Sequence, residues 1–161
     1  GRNIMKGYHN NPQANASSFT KDGFFRTGDQ GVFDEEGFLF LTGRLKEMIN
    51  RGGEKISPVM VDEALLGHPA VAIAVAFGVA DEKYGEEVHA AIVLNPKYAT
   101  QNKAEIEKQI REHCLRQIAA FAVPKKFYFV DDVPRTATGK IQRRIVSEHF
   151  APQPPKTQAK L

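Results

Sequence analysis

Ser57-Pro58-Val59-Met60-Val61-Asp62-Glu63-Ala64-Leu65-Leu66-Gly67-His68-Pro69-Ala70-Val71-Ala72-Ile73-Ala74-Val75-Ala76-Phe77-Gly78 passes from a helical to a strand pattern. Ser57-Pro58 forms an N-cap and N1 pair: the hydroxyl accepts an orphan backbone N–H, and proline's missing donor costs nothing there. The helix it opens carries Val61, Leu65 and Leu66 on one side. Val71 to Gly78 is a near-continuous apolar run, as expected of a strand buried on both faces.

The stretch Glu87-Val88-His89-Ala90-Ala91-Ile92-Val93 reads as a further strand. Thr100 or Asn102 then caps an amphipathic helix with Ile106, Ile110, Cys114 and Ile118 four apart. Lys126 to Val130 is a third strand, and a last helix after Gly139 places Ile141, Ile145 and Phe150 inward. The order reads as strand, helix, strand, helix, strand, helix, which is a small α+β domain with a short sheet covered by helices. Residues 152–161 contain three prolines among polar filler and read as a disordered tail.

The first 45 residues differ. Asn11-Pro12 opens a short helix, and Phe24-Phe25-Arg26, Val32-Phe33 and Phe38-Leu39-Phe40-Leu41 are strand-like runs. Asp34-Glu35-Glu36-Gly37 is a hairpin turn between the last two. Three short strands make a thin core, so residues 1–45 are expected to be the trailing β segment of a larger upstream unit. Residues 46–150 are then the small domain and 151–161 its tail.

Composition narrows the class. The chain has 161 residues, 42% hydrophobic and 25% charged, which is ordinary for a globular protein. No apolar run approaches the roughly 20 residues that span a bilayer. The first residues lack the basic, apolar and small-residue succession of a secretory signal. One cysteine, Cys114, allows no internal disulfide and favours a reducing compartment. On an apolar helix face it reads as core rather than nucleophile. His9, His68, His89, His113 and His149 have no metal-ligand spacing, so no protein-held metal is expected. From Pro124 onward eight basic residues face three acidic ones, giving +5 there and −2 elsewhere. A basic end suits a phosphate-bearing small ligand or nucleic acid equally.

Four clusters carry chemistry. Arg26-Thr27-Gly28-Asp29 sets a carboxylate at a strand end, where it can accept both hydroxyls of a ribose or simply close a turn. Gly43 to Pro58 gathers Arg44, Lys46, Arg51 and Lys55 around Gly52-Gly53. Glycine permits close backbone approach and cations suit phosphates, although a solvated interdomain loop has the same composition. Pro134-Arg135-Thr136-Ala137-Thr138-Gly139-Lys140 invites a phosphate-loop reading, but that motif needs glycine at 134 and Ser or Thr at 141. What remains is a lysine on a Thr-Gly loop, free to reach an anion. Finally, Ala159-Lys160-Leu161 is similar to the Ser-Lys-Leu peroxisomal address.

In order, these motifs resemble the C-terminal portion of the adenylate-forming superfamily, the acyl-CoA synthetases and 4-coumarate–CoA ligase-like enzymes. The resemblance runs through Gly7-Tyr8 with Asn11-Pro12, Arg26 to Asp29, Gly43 to Pro58, and His68-Pro69-Ala70-Val71. It continues through Asp81 to Glu86, Ala120 to Pro124, and Pro134 to Ile141. It implies that a carboxylate attacks the α-phosphate of Mg-ATP, and that the CoA thiol then displaces AMP from the acyl-adenylate. It implies a domain that rotates between these steps about Lys46. Thr27, Asp29 and Arg44 are then nucleotide-binding, and Lys140 is the adenylation lysine. Arg51, Gly52, Gly53, Glu54 and Lys55 face the pantetheine channel.

The loop Asn50 to Lys55 departs from aromatic-acid ligases, which carry lysine and glutamine at its two ends. It looks more like oxalate–CoA ligases and some fatty-acid ligases. With Ala159-Lys160-Leu161, this favours a peroxisomal oxalate–CoA ligase-like parent, with medium- or long-chain fatty-acid or 4-coumarate ligases as alternatives. The implied partners are an upstream adenylation domain of the same polypeptide, a small carboxylic acid and the peroxisomal import receptor. The family's phosphate loop and adenine pocket have no match in this sequence, so the chain alone is expected to be inactive. Readings of another class are a scaffold, or a nucleic-acid module using the Lys140, Arg143, Arg144 edge. The second is disfavoured because alternation buries Phe127 and Phe129.

Overall fold

The computed structural model describes residues 1–150, so the tail read at 151–161, with Ala159, Lys160 and Leu161, lies outside the described residues. The chain divides into two compact units, Gly1–Lys46 and a second that begins at Glu47.

In the first unit, Asn11 caps α1 (Pro12–Ser18) by accepting the Ala14 N–H at 3.0 Å, with Pro12 in the first turn. β1 (Asp29–Phe33) and β2 (Leu39–Arg44) form an antiparallel hairpin, with an irregularity between Gln30 and Gly31. Its turn is closed by the Asp34 carboxylate, which accepts the N–H groups of Glu36 and Phe38. Phe24-Phe25-Arg26 is not a strand. The chain turns tightly at Thr20, whose N–H reaches the Phe24 carbonyl, and only one bridge, Phe19 to Phe25, forms.

The second unit is built on a five-stranded sheet. β5 (Val71–Asp81) and β6 (Gly85–Leu94) pair antiparallel along nearly their whole length. The other edge of β6 holds β3 (Ile49–Arg51) at Gly85 and β7 (Lys126–Phe129) at His89 to Ile92. β7 runs parallel to β6, a pairing that requires the crossover supplied by α3 (Lys103–Leu115). β4 (Glu54–Ile56) completes a hairpin with β3. The order therefore departs from strict alternation: a hairpin, α2 (Pro58–Leu66), two consecutive strands, α3, β7 and α4 (Arg143–Phe150).

Helices cover both faces, which explains why β5 is apolar from Val71 to Ala80. On one face Ala74, Ala76, Val88, Ala90 and Ile92 meet Val61 and Leu65 of α2 and Ile106, Ile110 and Cys114 of α3. On the other, Val75, Phe77, Val79 and Ala91 meet Val146 of α4 and Val133. Ser57 caps α2 and Asn102, not Thr100, caps α3. Four expected core positions change. Leu66 is exposed because Ala64 takes the inward place beside Leu65. Ile141 is exposed, and Val146 takes the buried place expected of Ile145, because α4 starts at Arg143 rather than just after Gly139. Ile118 lies beyond the end of α3 and is only partly buried. Burial pushes the Cys114 thiol up to about 11, so it stays protonated within the core.

Candidate functional site

The β1–β2 register sets Asp29 directly opposite Arg44. Their side chains form an ion pair, Arg44 Nε to Asp29 Oδ1 at 3.0 Å, with the arginine largely exposed. Thr27 Oγ1 accepts the Asp29 N–H at 3.1 Å, and the Leu45 N–H donates to the Gly28 carbonyl. Gly28, at φ +78°, lets the chain turn there. Thr27, Asp29 and Arg44 thus form one polar edge, a proximity that residues so far apart in sequence did not reveal. Lys46 is exposed in a single 3-10 turn, Leu45–Glu47, and the boundary between the two units falls just after it.

Gly52-Gly53, read from sequence as a basic loop, is instead the two-residue turn of the β3–β4 hairpin. Both glycines have positive φ, +59° and +98°, the mirror-image turn that matches strand twist. The turn is tied to the next one: the Gly52 N–H donates to the Tyr84 carbonyl at 2.7 Å, and Glu86 accepts the Asn50 N–H at 2.6 Å. Arg51 lies over the Tyr84 ring, 3.9 Å from its centroid, and its Nε and Nη2 donate to the two oxygens of Glu87. Burial works against the Glu87 charge, but Arg51, the Val88 N–H and Lys125 outweigh it and hold its carboxyl below the ordinary range. Of the residues expected to face a channel, Arg51 is therefore committed to the scaffold, while Gly52, Gly53, Glu54 and Lys55 are exposed.

Lys140 sits in a second closed turn. The Thr136 N–H donates to the Lys140 carbonyl and the Gly139 N–H to the Thr136 carbonyl. Thr136 Oγ1 accepts the Lys140 N–H and also pairs with Thr138 Oγ1 at 2.8 Å. An Arg135–Ile141 bridge and the Gln142 N–H on the Pro134 carbonyl close the base. Five backbone and side-chain hydrogen bonds thus fix the loop and its base while the ammonium of Lys140 stays exposed, paired with nothing among the described residues. Its helix, α4, packs on the opposite face of the sheet from Ile49 and Ile56 of the β3–β4 hairpin.

The basic edge suggested for nucleic acid does not survive intact. Arg144 pairs with Glu148, and Phe127 is buried. The Arg143 guanidinium is shared among Asp62, Glu47 and the Ala76 carbonyl. The partners of Arg143 were missed from sequence, because nothing local connects a helix-start arginine with carboxylates 81 and 96 positions away. Among the described residues, no group of three His, Cys, Asp or Glu is arranged to hold a metal ion, and no helix is long and apolar enough to cross a membrane.

Residues 60–140 match the family described as the AMP-binding enzyme C-terminal domain. The chain is 54% identical over 154 residues to a probable CoA ligase, CCL9, of Humulus lupulus, covering 95% of this chain and 28% of that protein. It is 53% identical over 154 residues to the oxalate–CoA ligase of Arabidopsis thaliana, covering 96% of this chain and 29% of that one. Among solved structures, the o-succinylbenzoate CoA synthetase of Bacillus subtilis with its acyl-adenylate intermediate superposes with a TM-score of 0.80. That match is 38% identical and covers 91% of this chain and 28% of the synthetase. The chain thus spans less than a third of the proteins it matches, and it belongs to the AMP-binding enzyme C-terminal domain family.

Proposed function

We propose that this chain is the C-terminal lid, with its preceding β segment, of an ATP-dependent acid–CoA ligase. In the first step the acid's carboxylate attacks the α-phosphate of Mg-ATP, forming acyl-adenylate and releasing pyrophosphate. In the second, the CoA thiol attacks the acyl carbon, loses its proton and expels AMP. The observation that carries the reading is Lys140: a free ammonium on a loop held by its own hydrogen bonds. Bringing two anions together requires fixed positive charge at their meeting point, and a pre-oriented lysine supplies it without reorganisation.

Asp29 and Arg44 are proposed to contact the ribose, with Thr27 holding the Asp29 backbone. Lys46 is proposed as the hinge, which the unit boundary beside it supports. The Gly52-Gly53 turn, with Glu54 and Lys55, is proposed to border the pantetheine channel, with Arg51 stiffening it. Magnesium would arrive with ATP. The ligase needs an upstream adenylation domain as partner. Similarity to a named oxalate–CoA ligase supports oxalate as the acid. Where Ala159-Lys160-Leu161 ends the polypeptide, it supports import into peroxisomes by the receptor that reads such endings.

The test is acid-dependent release of pyrophosphate and AMP by a full-length polypeptide carrying this chain, with oxalate, medium- and long-chain fatty acids and 4-coumarate. Release with oxalate above all others is expected. Preference for a fatty acid or 4-coumarate would replace the substrate, and no release with any acid from a folded protein would remove the ligase reading.

A further inference from the structure

Arg143 is the first residue of α4 and stands three positions after Lys140. Its guanidinium joins three other segments: Nε donates to Glu47 Oε2 at 3.0 Å, Nη2 to Asp62 Oδ2 at 2.8 Å, and Nη1 to the Ala76 carbonyl at 2.6 Å. The second oxygen of Asp62 accepts the Ala76 N–H at 2.6 Å. The Arg143 and Asp62 side chains are only 18% and 14% exposed. Burial works against the Arg143 charge, and the two carboxylates more than restore it.

Part of this cluster has a structural explanation. β5 pairs only with β6, which leaves its outer edge open. Asp62 and Arg143 close that edge at Ala76, and Ser147 Oγ donates to the Gly78 carbonyl beside it. Glu47 adds nothing to that arrangement. It is the first residue of the second unit, next to Lys46, and its side chain is 40% exposed. A pair that open to water contributes little stability. What it does fix is geometry: the same planar fork holds both the boundary residue and the segment that leaves the Lys140 turn.

We propose that Arg143 is a positioning residue that locks the unit boundary at Glu47 to the Lys140 loop. Ile49 is already buried in the sheet and the Asn50 N–H is held by Glu86, so chain flexibility is confined to Lys46 and the residues before it. Rotation of the unit then carries Lys140 as part of one rigid body and delivers its ammonium to one place. This rests on the ligase reading of Lys140.

The test uses a full-length ligase carrying this chain, with Arg143→Lys, Glu47→Gln and Lys140→Ala, and measures the two half-reactions separately. Arg143→Lys keeps the charge but loses the fork, and should lower kcat for adenylation about 10- to 100-fold with KM for ATP little changed. Thioester formation from pre-made adenylate, which does not use Lys140, should fall far less. Glu47→Gln, at a half-exposed position that tolerates the change, should shift adenylation the same way by a smaller factor, and it decides alone if Arg143→Lys fails to fold. Adenylation within about twofold of wild type in the folded variants, or equal loss in both half-reactions, overturns the inference. If Lys140→Ala itself leaves adenylation intact, the ligase reading of the lysine fails first, and a normal loss there with unaffected Glu47 and Arg143 variants removes only the positioning role.

Discussion

The two units use the same materials to different ends. Both contain short strands rich in large apolar side chains, yet every buried apolar residue among the described ones lies at Ile49 or beyond. In the first unit Val32, Phe33, Phe38, Leu39, Phe40 and Leu41 each expose more than half of their surface. A two-stranded hairpin with a seven-residue helix cannot enclose a core, and such elements are marginal alone. The second unit has five strands with helices on both faces, which turns the same kind of strand into a closed interior. Exposed apolar side chains in this number suit a face that a partner covers, and in the ligase reading the upstream adenylation domain would be that partner.

Substitution at matched aromatic positions separates the units most sharply. Phe77→Ala removes a ring that is 2% exposed and should cost about 3–5 kcal/mol in urea unfolding of the 161-residue chain. Phe40→Ala, at 55% exposure, should stay within about 0.5 kcal/mol. A comparable loss at Phe40 would mean that the first unit has a core of its own. Next in size is the ion pair under the Gly52-Gly53 turn. Arg51→Met leaves the 5%-exposed Glu87 carboxylate without its main partner and should cost about 3 kcal/mol. Adding Glu87→Met should recover much of that loss, and no recovery would mean the arginine acts through its stacking on Tyr84 instead.

A smaller effect is expected from pH. Burial, with Lys126 and Lys125 nearby, holds the His89 ring below its ordinary pKa of 6.5, and burial does the same to His68. The unfolded chain then takes up protons that the fold refuses, so stability is full above pH 6.5 and declines as pH falls through that value. Glu87 and Asp81, whose carboxyls are held low, lose their contribution further down, as pH drops below the ordinary carboxylate range. Denaturation midpoints between pH 5 and 8 should show the first decline, reduced by His89→Gln. An unchanged slope in that variant would assign the decline to His68.

How far the sequence reveals this molecule also differs between regions. The apolar run of β5, the caps at Ser57 and Asn102 and the Asp34–Gly37 turn are local signals, and each forms where its residues indicate. The β3–β4 hairpin was hidden because strands of three residues are too short to show alternation. Its only mark was Gly-Gly between Ile49 and Ile56, and the surrounding charges masked it. The parallel pairing of β7 and the sharing of Arg143 by Glu47 and Asp62 depend on contacts across the whole unit, which no local pattern carries. For the candidate site, Asp29 and Arg44 were legible as residue types, and their pairing only as geometry.

In the proposed ligase, Lys140 serves one half-reaction and not the other. The most direct measurement is the rate of each step in a full-length ligase carrying this chain, before and after Lys140→Ala. Removing one preorganised charge stabiliser should cost roughly 2.7–4 kcal/mol, so adenylation should slow about a hundred- to a thousandfold while thioester formation from pre-made adenylate proceeds near its original rate. Equal loss in both steps, or no loss in adenylation, would remove Lys140 from the role of adenylation lysine.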